Sequence, residues 1–371
     1  MTACDGCLRR TALLELLAPW VERARKPNRR RLPEVLALSN DELIEALCGP
    51  KRAEVDRPLA RFDAAHARAR AEAAGIEVVC RHAAGYSGVL AHAADAPAAL
   101  YLIGDSALLE RAVRDKAVAI VGSRRASSYG IEMAGSLARD LAACDVPVVS
   151  GMAYGVDSAA HAGALAAGGP TIAVMPGGVN LAYPPGKRSL HEQLTTCGLA
   201  VSEMPPGMRP FRWSFPARNR IMAALARMTI VVEGTEGSGS LITASFAQDL
   251  GRDVGAVPGQ ATSPLAAGPN RLLSEGAAVV RSASDVLDAL FGPGKHPVTA
   301  AGTGAAAPHP ALAARLEPRL RKLLESVETG IGSVEGLAEG TDVADALAGL
   351  SELEFLGFVG RGPGGDYVRR V

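Results

Sequence analysis

From about residue 97 onward, the apolar positions fall into short, β-branched runs separated by longer stretches with helical apolar spacing. The runs cover 118–121, 147–149, 171–174, 199–201, 229–232, 254–257 and 277–280, and the intervening Ala-rich stretches include 130–142, 156–167 and 240–250. Near-continuous apolar strands alternating with helices predict a parallel sheet covered on both faces. Right-handed crossovers then place every strand-to-helix turn at one edge of that sheet.

The flanks differ in pattern. Residues 1–90 read as short helices: 12–21 and 40–47 have helical apolar spacing, Ser39-Asn40-Asp41 suits an N-cap, and 59–73 is rich in Ala and Arg. The basic run from Arg23 to Arg31 reads as a solvated face or loop. Residues 292–310 are a Gly, Pro, Ala and Thr linker. Beyond it, helices over 312–324, 333–337 and 343–355 lead to a ribbon of 357–359 and 367–369, joined across 361–365, in the order of a winged helix. The predicted domains are therefore 1–90, a core over 91–291, the linker 292–310, and 311–371.

Composition narrows the function. Lys and Arg balance Asp and Glu at 39 each, so any nucleic-acid site must be a local patch rather than a whole-protein field. No apolar run reaches membrane-spanning length and no signal peptide is recognisable, which predicts a cytoplasmic protein with its six cysteines reduced. Cys4 and Cys7 form a C-x-x-C, half of a zinc site or a redox pair. The other half would have to come from scattered residues such as Cys48, Cys80 or His82, and with no second C-x-x-C no metal is expected.

In a chain only 4% aromatic, the segment Arg209-Pro-Phe-Arg-Trp-Ser-Phe-Pro-Ala-Arg-Asn-Arg220 packs four arginines and three large aromatics, with no acidic residue, into twelve positions. Arginine offers charge and a planar face to phosphates and bases, and an aromatic ring offers an unpaired base a platform. The turns add to this. Val121-Gly-Ser-Arg-Arg-Ala-Ser-Ser-Tyr-Gly130 follows a strand and opens a helix, where backbone N–H groups attract phosphate. It is not G-x-G-x-x-G, and the next strand ends in Ser150-Gly151 where a dinucleotide site needs an acid for the ribose, so no NAD, FAD or other cofactor is expected. Asp157 and His161 stand four apart on the following helix, without a third ligand; a helix-start Asp bonded to a structural His is expected. No nucleophile–base constellation, paired carboxylates or Walker lysine supports catalysis. The chain reads as a binder.

These stretches, in order, resemble the DprA/Smf family of DNA-processing proteins. The resemblance is carried by Ala119-Ile-Val-Gly-Ser-Arg124, Ser150-Gly-Met-Ala-Tyr-Gly-Val-Asp157 with His161, Tyr183-Pro184, Ser202-Glu-Met-Pro-Pro-Gly207, Phe215-Pro-Ala-Arg-Asn-Arg-Ile221, Ser238-Gly-Ser-Leu-Ile-Thr-Ala244, Ala256-Val-Pro-Gly259 and Gly268-Pro-Asn270. It implies an α/β fold with an extended Rossmann-like parallel sheet, an N-terminal helical (SAM-like) domain and a C-terminal winged-helix domain. It also implies a homodimer that binds single-stranded DNA without sequence preference, displaces single-strand-binding protein and loads the RecA recombinase during natural transformation. Carried onto matching positions, the DNA-contacting residues are Arg124, Gly151, Arg212, Phe215, Arg218, Asn219, Arg220 and Ser238. The chain departs from the family pattern at Gly237, often basic there, and in the loop Pro176-Gly-Gly-Val-Asn180. That loop resembles a second group, the lysine-decarboxylase-like phosphoribohydrolases, which pair Pro-Gly-Gly with a Gly-Thr and a Glu around a nucleotide monophosphate. Here Glu233-Gly-Thr-Glu236 comes more than fifty residues later.

Overall fold

The structure is a computed structural model. It describes residues 3–24, 32–83, 86, 88–114, 116–294, 316–328, 342–356, 358–361 and 367–369. Five helices open the chain: α1 (Asp5–Ala24), α2 (Leu32–Ala37), α3 (Asn40–Cys48), α4 (Ala53–Ala60) and α5 (Ala64–Ala73). α3 starts where its sequence says. Ser39 Oγ accepts from the Glu42 amide and the Glu42 carboxylate accepts from the Ser39 amide, a reciprocal capping box.

The core is a nine-stranded sheet. Its strands are β1 (Glu77–Cys80), β2 (Ala99–Gly104), β3 (Val118–Val121), β4 (Val148–Ser150), β5 (Thr171–Val174), β6 (Leu199–Ser202), β7 (Met228–Val231), β8 (Asp253–Ala256) and β9 (Ala278–Val279). The spatial order is β1-β2-β6-β5-β4-β3-β7-β8-β9. From β6 to β9 all neighbours pair in parallel, as the apolar runs predict, while β1–β2 and β2–β6 are antiparallel. β1 corrects the reading of 1–90 as wholly helical: the helical unit ends at α5, and Glu77–Cys80 is the edge of the core sheet, with Glu77 opposite Leu102 and Cys80 opposite Ala99. A four-residue apolar run carries no period that separates strand from helix, so only its pairing decides it.

Helices α6 (Gly88–His92), α7 (Ala107–Arg114), α8 (Ser128–Ala143), α9 (Val156–Ala166), α10 (Arg188–Cys197), α11 (Ser214–Leu225), α12 (Gly239–Asp249), α13 (Ala267–Ser274) and α14 (Ala283–Phe291) cover the sheet. Successive residues of β3 face opposite ways. Ala119 and Val121 join one buried cluster with Leu108 of α7, Ile221 of α11 and Ala244 of α12. Val118 and Ile120 join another with Leu137 of α8, Ala160 of α9 and Val286 of α14. A third cluster packs Leu13, Leu17, Leu43 and Val55 of the helical unit onto Met204, Met208 and Trp213 of the segment between β6 and α11.

The C-terminal unit contributes α15 (Pro318–Glu328), α16 (Val343–Phe355) and the antiparallel ribbon β10 (Val359–Arg361) and β11 (Tyr367–Arg369). Its first ribbon strand lies two residues beyond the predicted 357–359. The helix predicted over 333–337, most of the linker and the basic positions 25–31 lie outside the described residues. Among the described residues no helix is long and apolar enough to cross a membrane.

The fold also changes the standing of the N-terminal cysteines. β1 and the turn after it carry Cys80 and His82 to the start of α1, beside Cys4 and Cys7.

Candidate nucleic-acid interface

In an open parallel sheet, ligands bind beyond the carboxyl ends of the strands, where the strand order reverses direction. Here that point lies between β3 and β7: from β3 the chain winds outward through β4, β5 and β6, then returns to pair β7 on β3's other side. The returning element is α11, which crosses β5, β4 and β3. A cleft of about 620 Å³ opens at this point, lined by the turns after β3, β4, β5 and β7 and by the start of α11.

On the cleft wall, the turns after β3 and β5 and the first turn of α11 bring one aromatic-cationic group together. The Phe215 ring lies 5.5 Å from the Tyr183 ring, tilted by 60°, and the Arg124 guanidinium stands 4.7 Å from the Phe215 centroid. Arg124 and Arg212 are exposed, and Phe215 and Tyr183 are half-buried. Deeper in the cleft sits Arg218, only 5% exposed. Its Nη1 donates to the Val174 carbonyl at 2.8 Å and its Nη2 lies 3.6 Å from the Asp157 carboxylate. Burial lowers its pKa to about 10, against the opposing pull of Asp157, so it stays a cation at neutral pH. Burial likewise raises the Asp157 carboxyl, with Arg218 pulling it down, and drives His161 to about 3. Asp157 is therefore tied to Arg218 rather than to His161, whose Nδ1 instead meets Thr171 Oγ1 at 2.8 Å.

Of the helices that start at the cleft, two already hold a carboxylate at their N-termini. At α8, Glu233 from the β7 turn accepts from the Ser127 amide at 2.9 Å and from Ser127 Oγ at 2.5 Å. That protein carboxylate occupies the place where the turn sequence predicts phosphate. At α9, Asp157 accepts from the Ala153 amide at 3.4 Å. α12 differs: its first turn has no acidic residue and Ser238 at its N-cap makes no side-chain cap bond. Ser238, Gly239 and Ser240 line the cleft there, with the Ser238 and Ser240 hydroxyls 2.6 Å apart, and a helix N-terminus without a carboxylate is a favourable place for an anion.

The profile of the family described as DNA recombination-mediator protein A matches residues 77–291. That stretch is more than half of the chain and spans the whole nine-stranded sheet. The chain belongs to this family, the DprA/Smf proteins. It is 34% identical to the Smf protein of Synechocystis over 299 residues, 74% of this chain and 75% of the relative. It is 44% identical over 208 residues to the putative DNA processing protein DprA of Mycobacterium tuberculosis, 55% of this chain but only 53% of the relative, so that match spans about half of the relative's length. Among solved structures, DNA processing protein A of Streptococcus pneumoniae superposes with a TM-score of 0.59 at 32% identity, covering 75% of this chain and 92% of that one. The Helicobacter pylori protein, solved for insight into its single-stranded DNA binding mode, gives 0.51 at 30% identity over 58% of this chain and 95% of that one.

Of the eight positions carried over from the DprA/Smf resemblance, Arg124, Arg212, Phe215, Arg218, Asn219 and Ser238 line the cleft. Asn219 also donates to the Gly239 carbonyl at 3.1 Å, clamping α11 to the start of α12. Two do not line it. Arg220 is 5% exposed, with Nη2 2.5 Å from Glu203 and Nε 3.2 Å from Asp95, so it is an internal ion pair and not a phosphate contact. Gly151 faces Arg218: a Cβ there would fall 1.4 Å from the guanidinium, so glycine makes room for that side chain. The aromatics of the arginine-rich segment divide the same way. Trp213 is fully buried and donates its indole N–H to the Ala18 carbonyl of α1 at 3.1 Å, and Phe211 packs on the same cluster; only Phe215 reaches the cleft.

Tyr183, Thr235 and Ser240 also line the cleft, although the sequence assigns none of them an individual site role. Their one sequence signal was position, on turns after β5 and β7. The Pro-Gly-Gly loop serves packing. The Gly178 amide donates to the Met208 carbonyl at 2.9 Å and Asn180 accepts from the Gly207 amide at 2.8 Å. Those groups are bonded internally, and Glu233 of the Glu233-Gly-Thr-Glu236 stretch is committed to Ser127.

Proposed function

We propose that this chain is a sequence-independent single-stranded DNA-binding protein of recombination, a binder rather than a catalyst. The observation that carries this reading is the Arg124–Phe215–Tyr183 group at the sheet's switch point, facing the open N-terminus of α12. An exposed cation stacked with rings, beside a helix N-terminus that holds no carboxylate, suits a sugar-phosphate chain whose unpaired bases offer faces for stacking. The H. pylori relative's single-stranded DNA binding supports the same reading. Loading of RecA, exchange with single-strand-binding protein and assembly as a homodimer in a bacterial cytoplasm belong to this proposal as what family membership implies.

The experiment is a fluorescence-anisotropy titration with oligo-dT and with a duplex of equal length. The single strand should bind more tightly, because a duplex presents no free base faces. Equal affinities would sink the stacking model. A RecA filament-assembly assay on DNA precoated with single-strand-binding protein tests the loading step, with no acceleration counting against it.

A further inference from the structure

Outside the cleft, one cluster of chemistry-bearing side chains has no part in the proposed function. Cys4 and Cys7 stand at the start of α1, Cys80 ends β1, and His82 lies in the turn that follows. Their ligand atoms all fall within 4.8 Å of one another. The His82 Nδ1 is 3.4 Å from the Cys4 sulfur and 3.4 Å from the Cys7 sulfur. Cys4, Cys7 and Cys80 are in no disulfide. We infer that Cys4, Cys7, Cys80 and His82 form a mononuclear structural zinc site that bolts the N-terminal helical unit to the edge of the sheet.

The spacing fits the ion. A tetrahedral zinc with bonds of about 2.3 Å to sulfur and about 2.0–2.1 Å to nitrogen holds its ligand atoms about 3.5–3.8 Å apart. The two sulfur-to-nitrogen distances of 3.4 Å are close to that. Three thiolates and one imidazole around a single point are the ligand set of a soft, four-coordinate divalent ion. Four protein ligands leave no open position, so the site is structural rather than catalytic.

Local geometry also prepares it. On one half, the Leu8 amide donates to the Cys4 carbonyl at 3.1 Å, holding Cys4 at the first turn of α1. On the other half, the Ala83 amide donates to the Cys80 carbonyl at 2.8 Å, closing a turn that swings His82 back over the end of β1. Around it, Arg68 Nε donates to the Ala3 carbonyl at 3.1 Å and the Arg68 guanidinium pairs with Asp5, holding the start of α1 against α5. Cys7 and Cys80 are buried in one cluster with Ala3, Leu8, Ala71, Val78 and Tyr101, drawn from the helical unit and from β1 and β2. Cys4 and His82 are exposed, which gives an ion its way in. β1 is a four-residue edge strand paired on one side only, so a cross-link at its end restrains an element that has little else to hold it.

The test uses the full chain purified from zinc-supplemented cells. Inductively coupled plasma mass spectrometry should find near one zinc per chain, and Cys7→Ser and Cys80→Ser should each remove it. Chelation should lower the melting temperature, with zinc restoring it. Because a serine variant can fail to fold, the wild-type protein is also stripped and refilled with cobalt(II), which should give the intense visible bands of a tetrahedral thiolate complex. Substoichiometric zinc with no such bands would overturn the inference, as would a Cys4–Cys7 disulfide in protein purified without oxygen.

Discussion

Arg124, on the turn after β3, and Phe215, on the first turn of α11, meet only in the folded protein, 4.7 Å apart, so their contributions to DNA binding should be coupled. Phe215→Ala should weaken single-strand binding by about 1–3 kcal/mol if a base stacks there. Arg124→Ala should lower the log–log salt slope by about 0.7 if it meets one phosphate. In the double variant the two losses should fall short of their sum, because each single change already breaks the stacked pair. A double-mutant cycle in anisotropy checks this, and strict additivity would mean that the pair acts independently. Arg220 makes the opposite prediction. Its removal leaves Glu203, itself 3% exposed, as an uncompensated buried acid. Breaking a buried pair in that way costs about 3–5 kcal/mol, so Arg220→Ala should show in a urea unfolding curve. Where the variant stays folded, its salt slope should match that of the wild type. A reduced slope at full stability would return Arg220 to the DNA-contacting set.

At the scale of elements, α11 has two functions. Its first turn gives Phe215 and Arg218 to the cleft, while Ile221 and Leu225 fill the core beneath the sheet. The C-terminal elements contrast with it. Residues 311–371 hold seven Lys and Arg against ten Asp and Glu, a net charge of −3 that opposes phosphate binding. α15, α16 and the ribbon share their own cluster around Leu320, Leu350, Phe358 and Tyr367, which touches the core sheet's helices at Cys197. A chain ending before residue 311 should therefore keep single-strand affinity within a few-fold. Its circular dichroism spectrum confirms folding, and a collapse of affinity in a folded truncation would move the DNA site into the C-terminal unit.

For the whole molecule, a net charge of zero sets how binding responds to salt. With no global field, only the cleft's own cations release counterions. Arg124, Arg212 and Arg218 amount to two or three contacts, so the slope of log affinity against log salt should be about −1.4 to −2.1 per chain. A slope twice as steep would reveal a second basic surface, or a strand shared between two chains.

The sequence alone determined the parallel part of the core sheet, while β1 and β2 and their antiparallel pairing came only with the fold. The period of its apolar runs is a local property, and seven parallel strands, their order along the chain and the common edge of their turns follow from it. It also placed the cleft, because crossover handedness leaves the turns nowhere else to gather. Tertiary structure decided what each polar residue in that frame does. Arg218 and Arg220 stand two apart in one helix, yet one faces the cleft and the other pairs with Glu203, 17 residues earlier in the chain. Ser127 meets Glu233 across 106 residues, filling a helix end that reads as open in the sequence. Cys4 meets His82 across 78, completing a ligand set that reads as half empty. Apolar side chains need only a face, which repetition along the chain reveals. A charge or a metal ligand needs one particular partner within a few ångströms, and only the fold brings that partner to it.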